Sequence, residues 1–256
     1  MSWHLNHWRF DSVLKHEAIP ETIWQKLIHL HCLKGLNSEE LKHLHELVLM
    51  FLHTKVINNA HGLEITDEMR ATIAIQACLP ILNLDLEYYD NWIEIIVYPG
   101  EFILDYDYVD NIGIVHRNHK IVSGETWFTG PIILSWQDII CTSEFNHRNI
   151  VIHEFAHTLD MLHEGANGCP PLHANMSASA WRNIFSRHYA SFCRQTEAEQ
   201  ETVIDPYAAE SPAEFFAVLS EVFFESPFTL KQHMPSIYEQ LALFYRQDPF
   251  KRWINA

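Results

Sequence analysis

Residues 149–162 read NIVIHEFAHTLDML. The apolar residues recur at spacings of three and four, which is typical of a helix with one buried face. Gly165 follows shortly afterwards and ends the helical pattern. His153 and His157 stand four residues apart in this predicted helix, so both imidazoles lie on the same face.

Together with Glu154, these two histidines form the pattern HExxH. Two histidines at this spacing on a helix can share a tetrahedral Zn²⁺ ion, and Glu154 lies close enough to reach the water that attacks a substrate. This arrangement is typical of zinc hydrolases. Because the chain has 18 histidines, a histidine motif can also arise by chance, and the spacing of further ligands must decide.

A catalytic zinc ion needs a third protein ligand and one open position, and three residues are candidates. His163 has the spacing from His157 that the metzincin motif uses, but Asp160 stands where that motif has its glycine. Asp160 itself follows His157 by one helical turn, and we expect it to hold a histidine tautomer rather than to bind the ion. The third candidate, Glu214, lies in a later predicted helix.

Glu214 also has a simpler interpretation. Ser211, followed by proline and three positions later by Glu214, is a capping-box pattern in which the glutamate only satisfies a backbone N–H. Glu221 falls on nearly the same helix face and is either a rival ligand or a carboxylate that supports one. The local pattern does not choose among these roles.

Periodicity and capping signals predict the helices of the remaining chain. They are expected at about 37–51, 67–78, 181–192, 211–224 and 235–245. The aromatic residues at helical spacing in 181–192 are interpreted as core.

Strands are predicted by β-branched and aromatic runs. They are expected at 92–98 and 131–136, with a hairpin over 113–122 whose turn contains the letters HRNHK. The simplest architecture is a single α+β domain over 1–256, with a helical N-terminal part of about 1–90 and a catalytic core of about 91–256.

Composition limits the classes of partner. The chain has 17 basic and 33 acidic residues, a formal net charge of −16 at pH 7. An acidic surface repels nucleic-acid phosphates and anionic lipids, so we expect neither direct nucleic-acid binding nor membrane association. The five cysteines show no close pairing, and neither a leader peptide nor a membrane span is evident. We therefore expect a soluble cytoplasmic protein.

Longer segments carry a family resemblance. HEFAHTLD at 153–160 and DPYAAESPAEFFAVLSEVFF at 205–224 resemble the MtfA (Mlc titration factor A) family, zinc peptidases whose catalytic core is similar to that of anthrax lethal factor. The likeness extends to CLPILNLDLEYYDNW, EIIVYPGEF, DNIGIVHRNHKIVSGETW, GPIILSW and FYRQDPFKR. The resemblance implies a zincin-like (gluzincin-type) fold, with the active-site helix packed on a small mixed sheet between helical N- and C-terminal parts.

The resemblance also implies roles for the site residues. The ligands of one Zn²⁺ would be His153, His157 and Glu214. Glu154 would be the general base, and Tyr207 would donate a hydrogen bond to the developing oxyanion. Peptide hydrolysis is the expected reaction.

A further metal ligand is implied at His116. In the family, a histidine at this place can complete the zinc shell. Four protein ligands would exclude the catalytic water, so we expect a latent form from which His116 must leave.

The resemblance suggests an aminopeptidase-type activity on short peptides. It also implies binding to an Mlc-like glucose repressor, and through it modulation of the glucose phosphotransferase system. Two alternatives remain: a non-catalytic anti-repressor that sequesters a transcriptional regulator beside a latent zinc site, and a metzincin-type enzyme that uses His163.

Overall fold

The computed structural model describes residues 19–90, 94–100, 102–109, 115–122, 124–126, 130–141, 148–162 and 165–255. For the strand residues between 102 and 126 it describes the backbone. The His163 alternative lies outside the described residues.

The N-terminal part consists of helices and one strand. Its elements are α1 (Glu21–Leu27), α2 (Ser38–Thr54), β1 (Val56–Asn59) and α3 (Asp67–Cys78). Asn37 caps α2 in a reciprocal capping box with Glu40, and the Thr66 side chain caps α3 by accepting from Met69 N. The predicted starts of both helices are confirmed, because short polar side chains satisfy their first N–H groups.

The central sheet is mixed. The strands that follow along the chain are β2 (Glu94–Tyr98), β3 (Phe102–Val109), β4 (Val115–Val122), β5 (Gly124–Thr126) and β6 (Ile132–Ser135). Three of them, β2, β5 and β6, form one sheet with β1 in the order β1-β2-β6-β5, in which β1/β2 and β2/β6 are parallel and β5/β6 is antiparallel. The expected α+β class is confirmed, although β1 was not predicted from the sequence.

The predicted hairpin is placed differently by the structure. β3 and β4 pair antiparallel along their whole length, with His116 opposite Tyr108. The letters HRNHK therefore lie inside strand β4, and the prediction that they form a turn is wrong. Eight consecutive residues of β4 pair with residues of β3. This pairing keeps the polar residues of β4 extended, although their composition suits a turn.

The remaining elements are helical. They are α4 (Trp136–Cys141), α5 (Ile150–Asp160), α6 (Ala178–Glu197), α7 (Pro212–Glu225), α8 (Pro227–His233), α9 (Pro235–Tyr245) and α10 (Pro249–Ile254). The bounds of α9 agree with the predicted helix at 235–245, and one more helix, α10, follows it. Arg246 adopts a left-handed conformation (φ 51°) that ends α9, and Asp248 then caps α10.

The core surrounds α5, which is buried at every position after Ile150 and contacts α3, α7, β5 and β6. Beside it, Trp181 stacks on Phe185 with ring centroids 4.2 Å apart, and both rings contact Phe216 of α7. The interpretation of this aromatic set as core is confirmed. Among the described residues, no helix combines the length and apolar character that crossing a membrane requires.

Candidate metal centre

Helix α5 presents its two motif histidines to the same point. Asn149 caps the helix by accepting from Ile152 N at 3.0 Å. One turn separates the two histidines, so their Nε2 atoms lie 3.2 Å apart. Both side chains are buried: His153 is 6% exposed and His157 is 7% exposed.

Glu214 of α7 completes the cluster. Its Oε2 lies 3.0 Å from His153 Nε2 and 3.2 Å from His157 Nε2. Ser211 Oγ accepts from Glu214 N at 3.1 Å and so caps α7. The carboxylate does not return to the Ser211 backbone, as a reciprocal capping box would require, but points to the histidines. Among the candidate third ligands in the described part of the chain, the geometry favours Glu214.

The three atoms fit a metal ion. Ligands about 2.0–2.1 Å from a tetrahedral ion lie roughly 3.3 Å from one another, close to the 3.0–3.2 Å separations found here. Two imidazole nitrogens and a carboxylate oxygen that face each other in a buried place are stable only if a cation or proton lies between them. The donor set therefore matches a metal site.

Glu221 lies behind His153, at the nitrogen that faces away from the three-atom cluster, where a supporting carboxylate rather than a rival ligand is expected. Its Oε1 lies 2.7 Å from His153 Nδ1. A carboxylate here accepts the Nδ1 proton and leaves the lone pair of Nε2 directed to the metal position. In the metal-free protein, burial lowers the pKa of His153, but the carboxylates of Glu221 and Glu214 outweigh burial and raise this pKa to about 10. A cation that binds at Nε2 must therefore displace a proton from it.

The two histidines also act on Glu214. Burial raises the pKa of its carboxyl, but the hydrogen bonds from His153 and His157 outweigh burial and hold this pKa well below its usual range. Glu214 is therefore an anion throughout the physiological pH range, as a ligand must be.

Tyr207 and Glu154 flank the cluster. Tyr207 lies in the short 3₁₀ helix Pro206–Ala209, where Asp205 Oδ1 accepts from its backbone N–H at 2.9 Å, and its ring centroid is 6.1 Å from that of His153. Burial, followed by the charges of Glu214, Glu210 and Glu154, raises the pKa of Tyr207 above its usual value. The phenol therefore stays protonated, and its O–H interacts with the side chain of Glu210. Glu154 is buried beside the histidines, 3% exposed.

Asp160 does not hold a histidine. Its carboxylate accepts the backbone N–H groups of Asn167, Gly168 and Cys169 at 2.6–2.8 Å. Within the described residues, the buried Nδ1 of His157 has no hydrogen-bond partner. The expectation that Asp160 fixes a histidine tautomer is therefore wrong, because the turn that follows α5 takes up both of its oxygens.

The turn at residues 167–169 contacts α7, the helix that supplies Glu214. Gly168 has φ 77°, and a Cβ atom there would lie 2.4 Å from the carbonyl oxygen of Pro212, the first residue of α7. Only glycine combines this backbone conformation with so close an approach.

We expect Gly168→Ala to destabilise the protein more than Gly62→Ala. Gly62 has nearly the same φ, 76°, but its Cβ would meet nothing within 4 Å, so that substitution is expected to lower the free energy of unfolding by about 1 kcal/mol. The contact with Pro212 should add roughly 1–3 kcal/mol to the loss at position 168. Urea unfolding of both variants measures the difference, and equal losses would contradict it.

Two further residues bear on the predicted site, His116 and Glu225. His116 lies in β4, and the structure describes only its backbone. Sequence reasoning missed Glu225, which is buried one turn after Glu221 on α7. The available signal was an acid directly after two phenylalanines in an apolar helix. In the structure this carboxylate is 8% exposed, and buried carboxylates need a partner.

Comparisons with known proteins identify the family. The family model of the glucose-regulated metallo-peptidase M90 matches residues 5–246. The chain is 38% identical over 240 residues to "Mlc titration factor A" of Yersinia enterocolitica, which covers 91% of this chain and 89% of the relative. It is 37% identical over 241 residues to the proteins of the same name from Yersinia pestis and Yersinia pseudotuberculosis, covering 91% of this chain and 88% of each relative.

Proposed function

The chain belongs to the glucose-regulated metallo-peptidase M90 family, and from this premise we propose that it is a zinc-dependent peptidase with a zincin-like fold. The observation that carries the proposal is the convergence of His153 Nε2, His157 Nε2 and Glu214 Oε2 at 3.0–3.2 Å from one another. Buried Glu154 lies next to them on the same helix.

The proposed cofactor is one Zn²⁺ per chain. Two imidazoles and one carboxylate are the protein ligands of many catalytic zinc sites, which keep one position open. When bound, zinc would polarise the scissile carbonyl and lower the pKa of water to about 7.

The protein's own groups would then move the proton and stabilise charge. Glu154 takes a proton from the attacking water and passes it to the leaving amine. The Tyr207 O–H, which its raised pKa keeps protonated, donates to the oxyanion that develops on the carbonyl. Glu221 keeps His153 in the tautomer that binds through Nε2.

Tyr207→Phe is expected to lower kcat by about 10²-fold, because one donor to the oxyanion is lost. Zinc content should stay at the wild-type level, since the phenol is not a ligand. A suitable control is Tyr238→Phe, which removes the hydroxyl that donates to Asp248 at 2.6 Å. If Tyr207→Phe and Tyr238→Phe hydrolyse peptide equally fast, Tyr207 does not have this role.

The proposed specificity is for the amino terminus of short peptides, as the family resemblance suggests. The test is hydrolysis of an alanyl p-nitroanilide by zinc-loaded protein, beside its N-acetylated form. We expect turnover of the free amine that chelation abolishes and zinc restores. Hydrolysis of the N-acetylated compound as fast as the free amine would contradict specificity for the amino terminus.

A latent state is proposed for His116 as the fourth protein ligand. His116→Ala should then raise turnover with zinc retained, because the open position becomes permanent. Turnover that is unchanged or lower, at equal zinc content, would argue against latency.

A second candidate function is suggested by the name of the relatives. We propose that the chain also binds an Mlc-like repressor in the cytoplasm and thereby modulates sugar uptake. The two functions separate at Glu154: repressor capture should survive Glu154→Ala if sequestration suffices, and repressor cleavage should not. Failure to retain purified Mlc-like repressor would exclude the second function only.

A further inference from the structure

The hydrogen bonds behind His153 converge on Asn149, the residue that caps α5. Its backbone N–H donates to Glu221 Oε2 at 2.5 Å, and its side-chain Nδ2 donates to Glu225 Oε1 at 2.7 Å. Its Oδ1 accepts from Ile152 N and its carbonyl accepts from His153 N. Each polar group of this buried residue therefore has a partner.

The two glutamates are one turn apart on α7 and both buried, Glu221 at 4% and Glu225 at 8% exposure. Like charges at this spacing destabilise a helix, and buried carboxylates need donors. Asn149 gives one donor to each of them. The second oxygen of Glu225 lies 3.0 Å from Nδ1 of His31, which is partly exposed.

The choice of asparagine over aspartate has a physical reason here. Both cap helices equally well through a side-chain oxygen. Only asparagine can also donate from that side chain, and Nδ2 is the atom that reaches Glu225. A role limited to helix capping would not distinguish the two residues.

We propose that Asn149 is a positioning residue of the metal centre. Its backbone N–H holds the Glu221 carboxylate that orients His153. Its side chain binds Glu225 and so ties α7, which supplies Glu214, to the start of α5, which supplies the histidines. This inference rests on the proposed zinc function, and it assigns part of the metal affinity to a residue that contacts neither the metal nor the substrate.

The test is Asn149→Asp, with zinc affinity measured by competition against a chromogenic chelator. This substitution keeps the cap but directs a negative charge at Glu225. Outer-sphere partners of metal ligands typically contribute 10–100-fold to affinity. Because Asn149 acts through such a partner, we expect zinc affinity to fall by about 10-fold, the lower end of this range. The melting temperature of the metal-free protein reports whether the fold is intact.

The matched variant is the double substitution Asn149→Asp with Glu225→Gln. It exchanges the amide and the carboxylate across the same hydrogen bond, and the oxygen of the introduced glutamine still accepts from His31. Most of the lost affinity should return. Glu225→Gln alone completes the cycle and isolates the coupling between the two positions.

Two outcomes would overturn the inference: wild-type zinc affinity in Asn149→Asp, or a double variant that binds zinc no more tightly than Asn149→Asp alone. Each of these outcomes counts against the inference only if the wild-type protein, measured beside the variants, binds zinc. A wild-type protein without measurable zinc affinity would instead overturn the proposed function, and this inference with it.

Discussion

Glu154→Gln is expected to lower kcat by up to about 10⁴-fold, the upper end of the range for a lost general acid–base group. The amide has nearly the same shape as the carboxylate but cannot take a proton from water. Because Glu154 is buried beside the histidines without being part of the three-atom cluster, zinc content should remain that of the wild type.

The measurement is hydrolysis of the alanyl anilide at equal zinc content. Glu197→Gln is the control, since Glu197 is exposed at the end of α6 and the same change of charge there should have no effect. Hydrolysis by Glu154→Gln within a few-fold of the wild-type rate would mean that another group acts as the base.

Glu214→Gln is expected to abolish stable zinc binding. The substitution keeps the volume but removes the anion that both histidines contact at 3.0 and 3.2 Å. Loss of a ligand should exceed the 10–100-fold effect that is typical of outer-sphere residues, so affinity should fall by more than about 100-fold. Zinc content after dialysis, measured by atomic emission, gives the result.

His163→Ala provides the contrast for Glu214→Gln. A metzincin-type site would lose zinc in His163→Ala and keep it in Glu214→Gln. The proposed site predicts the reverse, so the same dialysis experiment decides between the two ligand sets.

Much of the helical structure could be predicted because its signals are local. Asn37, Thr66, Asn149 and Ser211 each begin a helix as expected, since a short polar side chain next to an apolar repeat satisfies N–H groups within the same few residues. The pairing of His153 with His157 could also be predicted, because the two residues are four positions apart on one helix.

Long-range pairing could not be predicted in this way. β1 has only four residues and joins the sheet through parallel pairing with β2, which depends on residues far apart in sequence. The polar middle of β4 stays extended because β3 lies beside it. Nothing within either segment indicates these partners.

The choice between Glu214 and Glu221 also depends on tertiary structure. Both lie on nearly the same face of α7, and the helix pattern alone makes them equivalent. Packing against α5 places them on opposite nitrogens of one imidazole, Glu214 at Nε2 and Glu221 at Nδ1 of His153. The positions of the two carboxylates on this ring therefore favour Glu214 as the proposed ligand.

The division of the ligands between α5 and α7, with α6 between them in the chain, has a thermodynamic consequence. An ion bound to both helices joins segments that the unfolded chain holds far apart, so unfolding must release it. At free zinc one hundred times the dissociation constant, such linkage adds about 2.7 kcal/mol to the free energy of unfolding. Zinc supply would then set not only the activity of this protein but also how long each molecule survives proteolysis in the cell.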